Sequence, residues 1–219
     1  MSKKNEIKIK EAFTLAFQNH QNKNYKAAED LYKKVLKINP EHFESIYLLG
    51  SLSVQNNNFD KAKNFFEIAA KIKPDDANTY YNLGVVHVEL GELEKAVTYY
   101  EKAISLRGNH VNSHNNLGVV FLKLGQYKNV ISCCKKALAI QSNHPNALNN
   151  LGLAFKQLGE TKIAKDYFEK ALSLEPNNEK FNSNYGELLL SLDQHEKGLN
   201  HIKKGSGFIN FSQNSFEII

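Results

Sequence analysis

Four asparagines recur along the chain at a constant interval of 34 residues: Asn82, Asn116, Asn150 and Asn184. A carboxamide has two N–H donors and one carbonyl acceptor, so a single side chain can pair with both the N–H and the C=O of an extended peptide. Such a residue holds a main chain without reading its side chains. The fixed spacing therefore indicates a track for an extended polypeptide.

A second set of asparagines stands four residues earlier in three of the same units: Asn78, Asn112 and Asn146. Residues four apart lie on one face of an α-helix, so we expect both sets to line the same surface. Asparagine is a weak helix former, roughly 0.6 kcal/mol less favourable than alanine per site. Helix stability therefore does not explain its repeated use.

Structural explanations compete with a ligand track. The asparagines of the first set can also hydrogen-bond to one another or to the backbone of a neighbouring helix. Duplication of a repeat would copy the asparagine unchanged. The position three residues before each of them has diverged, which favours a ligand track: Thr79, Ser113, Ala147 and Phe181. If the first set serves a ligand, changing all four to alanine should weaken binding by roughly 2–6 kcal/mol and leave stability nearly unchanged.

For the second set both explanations stay open. Asn78, Asn112 and Asn146 lie near predicted helix starts. Asparagine there also serves as a helix cap or first-turn residue.

The period divides most of the chain into six units: 9–42, 43–76, 77–110, 111–144, 145–178 and a degenerate sixth at 179–204. Each unit contains two apolar patterns of helical spacing. Glycine follows the first pattern at Gly91, Gly125 and Gly159, where a helix that ends needs a left-handed residue. Proline follows the second pattern at Pro40, Pro74 and Pro176, and Pro145 stands at the first position of the next helix. With no alternating strand pattern, the predicted fold is all-α.

Small and large residues alternate at fixed places in each unit. A glycine follows a leucine in four units, and two alanine positions flank an aromatic further on. This pairing of small with large residues predicts two interlocked helices per unit. The last unit has Gly198 and Gly205 in both alanine positions, and since glycine costs about 1 kcal/mol in a helix we expect its second helix to fray first.

The whole pattern resembles the tetratricopeptide repeat (TPR) family, whose signature is Leu-Gly, an aromatic residue, Ala, an aromatic residue, Ala and then Pro. Units 43–76 and 145–178 meet it best, while Val130 and Cys134 depart from it. The resemblance covers nearly the whole chain. It implies a right-handed solenoid of about six helix-turn-helix repeats.

The resemblance also implies a function and a binding surface. In this family the first helix of each repeat lines a concave groove, and similar asparagine ladders in the TPR arrays of O-linked N-acetylglucosamine transferases hold extended segments there. By this resemblance Asn82, Asn116, Asn150 and Asn184 are the predicted peptide-binding residues. The predicted function is a non-catalytic protein–protein interaction scaffold. The alternative is an accessory targeting module for a glycosyltransferase or another enzyme on a separate chain.

Other sites are not indicated. Chaperone co-factors of this family clamp a carboxylate with lysine at the fifth position of a repeat, where this chain has Phe13, Tyr47, Tyr81, Asn115, Asn149 and Ser183. His110 and His114 have metal-ligand spacing, but His42, His110 and His144 share the last position of their repeats, so repeat periodicity explains them better. Because there is also no phosphate-binding loop and no nucleophile with its base, we expect no enzymatic activity, cofactor or metal.

Charge and composition indicate a cytoplasmic protein. Residues 1–37 contain nine lysines and four acidic residues, which accounts for the net charge of +5, so the rest is neutral and binding to nucleic acid is not expected. No apolar run is long enough for membrane insertion, and no signal peptide is recognisable. Cys133 and Cys134 are adjacent on a predicted helix, which disfavours a disulfide and suggests a reducing compartment.

Both ends lie outside the repeats. We expect residues 1–8 to be a flexible basic N-terminus. Residues 205–219 read as an apolar, nonhelical tail. Two hypotheses apply to the tail: it caps the last repeat, or it docks into a groove, its own or a neighbour's, and so mediates self-association.

Overall fold

The computed structural model describes residues 2–206, 209–212 and 215–218. Within these residues it contains twelve α-helices and one antiparallel pair of short strands, so the predicted all-α repeat fold is confirmed and the strand pair is an unpredicted addition. The elements are α1 Lys3–Gln21, α2 Tyr25–Ile38, α3 Phe43–Gln55, α4 Phe59–Ile72, α5 Ala77–Glu89, α6 Leu93–Leu106, α7 Val111–Lys123, α8 Tyr127–Ile140, α9 Pro145–Gln157, α10 Thr161–Leu174, α11 Glu179–Ser191, α12 His195–Ser206, β1 Ile209–Ser212 and β2 Ser215–Ile218.

The chain forms two compact units, residues 1–108 with α1 to α6 and residues 109–219 with α7 to α12 and the strands. In each unit three helical pairs follow one another, and every odd-numbered helix packs against the even-numbered helix after it. We call the odd-numbered helices A helices and the even-numbered helices B helices. The A helices carry the predicted binding residues.

From the second repeat onward, every A helix begins at the first position of a predicted repeat. The residue immediately before it caps the helix, because its side chain accepts a hydrogen bond from a backbone N–H of the first turn. The capping residues are Asp76, Asn178 and three histidines, His42, His110 and His144. Capping therefore explains why histidine recurs at the end of a repeat.

A left-handed residue follows each A helix. The prediction is confirmed at Gly91, Gly125 and Gly159, whose φ angles are 76°, 69° and 78°. Repeats without glycine at this place adopt the same conformation with φ near 60°, at Lys23, Asn57 and Asp193. The left-handed turn is thus a property of the repeat, and glycine only lowers the free-energy cost of this backbone conformation.

Replacing Gly159 with alanine should lower the free energy of unfolding by about 1 kcal/mol, because a Cβ is disfavoured in the left-handed region. Urea unfolding followed by circular dichroism measures this loss. Gly108→Ala is the matched control, since Gly108 is not among the residues with positive φ and an added Cβ meets nothing within 4 Å at either glycine. Equal losses in the two variants would contradict the argument.

In the second, third and fifth repeats a glycine on the A helix packs against an aromatic ring on the B helix. A Cβ added to Gly84 or Gly152 would lie 2.6 Å from the ring of Tyr100 or Phe168. Both rings are buried, and so are the alanines on either side of them in the B helices. Cys134 takes the place of the ring in the fourth repeat and is also buried, so this departure from the family pattern keeps its position in the core.

The glycines of the last helix are sites of close approach. A Cβ on Gly198 would lie 2.8 Å from Leu190 Cδ2, and one on Gly205 would lie 2.6 Å from the carbonyl oxygen of Glu179. α12 therefore approaches α11 more closely than alanine would allow. Early fraying of this helix stays a prediction.

Helices extend beyond the predicted repeats at both ends. Residues 3–8 belong to α1, whose first turn is capped by the Ser2 hydroxyl, and their flexibility stays a prediction. At the other end α12 includes Gly205 and Ser206, which were predicted to lie in a nonhelical tail. The following backbone pairs Ile209 with Ile218 and Phe211 with Phe216 across the two strands. The cap and docking hypotheses for the tail stay predictions.

Candidate functional site

The A-helix face of residues 109–219 carries most of the predicted binding residues. It is built from α7, α9 and α11, and α9 contacts both of the others. Asn112 and Asn146 are exposed on this face, Asn116 and Asn184 are partly exposed, and Asn150 is only 3% exposed. The predicted residues therefore lie at very different depths.

Two of the 34-residue asparagines in this part of the chain, Asn150 and Asn184, bond to the repeat before them. Asn150 Nδ2 donates to Asn115 Oδ1 at 3.0 Å, and Asn184 Nδ2 donates to Asn149 Oδ1 at 3.0 Å. Each acceptor stands at the fifth position of the preceding repeat. These hydrogen bonds tie consecutive A helices together.

The same bond occurs in the N-terminal unit with a different acceptor. Asn82 Nδ2 donates to the Tyr47 hydroxyl oxygen at 2.9 Å, and Tyr47 is again at the fifth position of the preceding repeat. Burial raises the pKa of Tyr47 above its ordinary value, while the bond from Asn82 acts in the opposite direction. The sequence pattern does not reveal that the residue at the fifth position of the preceding repeat accepts this hydrogen bond. At the sequence level the fifth-position residues argue only against a carboxylate clamp.

In residues 109–219, the asparagines at the fifth position of a repeat form a network of buried amide groups. Asn115 is 7% exposed, and its Nδ2 donates to Asn116 Oδ1 at 3.1 Å. Asn149 is 1% exposed, and its Nδ2 has no hydrogen-bond partner within the described part of the chain. Loss of an acceptor or donor from such a network is costly because the remaining polar atom stays buried.

In α7 and α9, the asparagines of the second set do not cap the helix. Asn112 and Asn146 are the second residues of their helices, but the caps are formed by His110 and His144. Capping therefore does not account for these two exposed asparagines. In the N-terminal unit, Asn78 Oδ1 accepts a hydrogen bond from Arg107 Nη1 at 3.3 Å.

Apolar and charged side chains complete the face. Val119 and Leu153 are partly buried at equivalent positions of α7 and α9. Further along, Lys156 Nζ lies 2.8 Å from Glu187 Oε2 and joins α9 to α11. The face thus combines amide groups, a short apolar strip and one ion pair, which is suited to holding a polypeptide by its main chain and small apolar side chains.

The described residues show little that suits catalysis or metal binding. Among them no group of three His, Cys, Asp or Glu side chains is placed to hold a metal. Cys133 and Cys134 are buried and form no disulfide, and burial raises the pKa of Cys134 to about 12, which leaves it a poor nucleophile. None of the described helices has the length and apolar character to cross a membrane.

Three family models, each for the tetratricopeptide repeat, match residues 20–84, 77–110 and 110–175. The chain belongs to the tetratricopeptide repeat family. A comparison with curated proteins gives no match.

Solved structures agree with this TPR assignment. A tetratricopeptide repeat protein from Parabacteroides merdae is 16% identical with a TM-score of 0.79, over 90% of this chain and 78% of that one. MamA is 24% identical with a TM-score of 0.70, over 78% of this chain and 93% of its own. YrrB, described as a TPR protein with an unusual peptide-binding site, is 22% identical with a TM-score of 0.63, over 80% and 91% of the two chains. At these identities the likeness shows the fold alone.

Membership of the TPR family supports the coarser functional prediction. TPR domains are generally interaction modules without catalytic activity. This TPR protein is accordingly assigned to the class of protein-interaction scaffolds.

Proposed function

We propose that this TPR protein binds an extended segment of a partner protein on the A-helix face of residues 109–219. The observation that carries the proposal is the exposure of Asn112 and Asn146, one repeat apart on a shared face and without a capping role. Their amides are available for both the N–H and the C=O of a ligand main chain.

The deeper asparagines have a different role in this proposal. Asn116 and Asn184 are partly exposed, and in this proposal they contact the ligand in addition to making their internal hydrogen bonds. Asn150, nearly fully buried, holds α9 against α7 through Asn115 and contributes to binding only by keeping the face in shape. The ladder thus divides into contact residues and a supporting residue.

The ligand chemistry follows from the rest of the face. Val119 and Leu153 favour a segment with small apolar side chains. The peptide-binding site named in the description of YrrB belongs to that protein, and the shared fold makes a peptide ligand reasonable here. Two buried cysteines that form no disulfide fit a reducing compartment, and we propose the cytoplasm.

The test uses peptides selected from a phage-displayed library of unstructured twelve-residue sequences. Changing Asn112 and Asn146 together to alanine should weaken binding of the selected peptides by about 1–3 kcal/mol, or roughly 5- to 150-fold in Kd, because each amide loses hydrogen bonds to the ligand. Isothermal titration calorimetry measures the change. Stability should move by no more than about 0.5 kcal/mol, since both residues are exposed.

The matched control is Asn200→Ala, which removes an exposed asparagine from the B helix α12. It should leave peptide affinity unchanged. If the library yields no binder, or if the double variant binds the selected peptides as well as the wild type does, the proposed site is wrong.

A further inference from the structure

We propose that the three histidine caps make this TPR array sensitive to mild acid, because protonation of the ring removes the hydrogen bond that starts α3, α7 and α9. This property of the fold goes beyond the proposed function and does not rest on it.

Each ring accepts a backbone hydrogen bond through Nδ1. Ser45 N lies 3.3 Å from His42 Nδ1, Ser113 N lies 3.2 Å from His110 Nδ1, and Ala147 N lies 3.1 Å from His144 Nδ1. The same geometry recurs at three separate helix starts. The role is therefore built into the repeat.

A histidine nitrogen accepts a hydrogen bond only when it carries no proton. Protonation turns Nδ1 into a donor and places a positive charge at a helix N-terminus, where the helix dipole disfavours it. Asp76 and Asn178 form the equivalent caps of α5 and α11 with side-chain oxygens. Neither of those two caps depends on a ring nitrogen.

The surroundings of the rings differ. His144 is 8% exposed, and burial lowers its pKa below the ordinary value, while a hydrogen bond with its own backbone and the charge of Glu175 beside it act in the opposite direction. The His110 ring also contacts the Ser113 hydroxyl at 2.9 Å. His42 packs against the Phe13 ring and faces Glu44 Oε2 at 3.8 Å, a carboxylate that is itself paired with Lys73.

The direction of the effect follows from proton linkage. Capping disfavours the protonated ring, so the unfolded chain, in which histidine titrates near about 6.5, binds more protons than the folded chain. The stabilisation is complete above that pH and declines as the pH falls toward the lower folded value. In that window each cap can raise the unfolding equilibrium constant up to about tenfold per pH unit.

The decisive variant carries His42→Asn, His110→Asn and His144→Asn together, because asparagine is a strong cap that does not titrate. Between pH 7.5 and 5.5 the urea midpoint of the wild type should fall, and that of the triple variant should fall much less. His20 and His201, whose pKa values burial also lowers, remain in both proteins and set the background. His195→Asn, at an exposed histidine, should keep the wild-type pH dependence.

A second measurement needs no variant. In the wild-type protein, titration of the His144 ring followed by NMR should give a pKa below the ordinary histidine value. The protection factors of the Ser113 and Ala147 amides, which correct for the intrinsic slowing of hydrogen exchange in acid, should fall on acidification. If the triple variant and the wild type lose stability in parallel, or if the His144 ring titrates at or above the ordinary value, the inference is overturned.

Discussion

Changing Phe168 to alanine is expected to lower the free energy of unfolding by about 3–5 kcal/mol. The ring is fully buried and fills the space that Gly152 leaves on α9. Its removal forfeits the transfer free energy of the ring and leaves a cavity between the two helices of the fifth repeat. Urea unfolding monitored by circular dichroism at constant pH gives the value.

Two further variants separate the stability that comes from the fit of the ring against the glycine from the stability that comes from burying a ring. Tyr167→Ala removes the neighbouring ring, which is partly exposed and stacks on Phe155 at 5.6 Å, and should cost clearly less. Gly152→Ala should cost about 1–3 kcal/mol in the wild type, because its Cβ meets the Phe168 ring.

In the Phe168→Ala background, Gly152→Ala should cost much less, since the added methyl then enters the cavity. A double-mutant cycle measures this coupling. Strictly additive losses would show that the glycine and the ring do not interlock.

The packing of a glycine against an aromatic residue could be predicted because the pair recurs along the sequence. Glycine at one position and an aromatic residue sixteen positions later recur in several units, as in Gly84 with Tyr100 and Gly152 with Phe168. Packing between two adjacent helices depends mainly on side-chain volume and helical phase, and both can be read from the sequence. The helix starts and the left-handed glycines followed for the same reason.

The amide network was not predictable in this way. The bond from Asn150 to Asn115 joins side chains 35 residues apart, and its existence depends on the rotamers and the spacing of two helices. A sequence pattern shows that Asn146 and Asn150 share a face, but it does not show that one is exposed and the other buried. The histidine caps were visible as a period, yet their role needed the position of Nδ1 relative to the backbone N–H.

The features at the two ends of the chain do not recur from repeat to repeat. Residues 3–8 extend α1 beyond the first predicted repeat, and the short strands after α12 have no counterpart elsewhere in the sequence. A single occurrence offers no period against which to compare it. Charge alone does not predict that the first residues form a helix capped by Ser2.

Changing Asn150 to alanine is expected to lower the free energy of unfolding by about 1–3 kcal/mol. The sequence alone led us to expect almost no loss of stability from alanine at the 34-residue asparagines. The structure reverses that expectation for this residue, because removal of its amide leaves Asn115 Oδ1 buried without its donor. Asn146→Ala, one turn earlier on the same helix and exposed, is the matched control and should change stability by less than about 0.5 kcal/mol.

The pair of variants also decides how the ladder is used. If Asn150 supports α9 and Asn146 contacts the ligand, Asn150→Ala should act mainly on unfolding and Asn146→Ala mainly on peptide affinity. A cycle with Asn115→Ala should then give a coupling of about 1 kcal/mol between Asn115 and Asn150, because either single change already breaks their bond. Should Asn150→Ala leave stability intact while it abolishes binding, the buried amide would be a ligand contact after all, and the division between contact and support would have to be withdrawn.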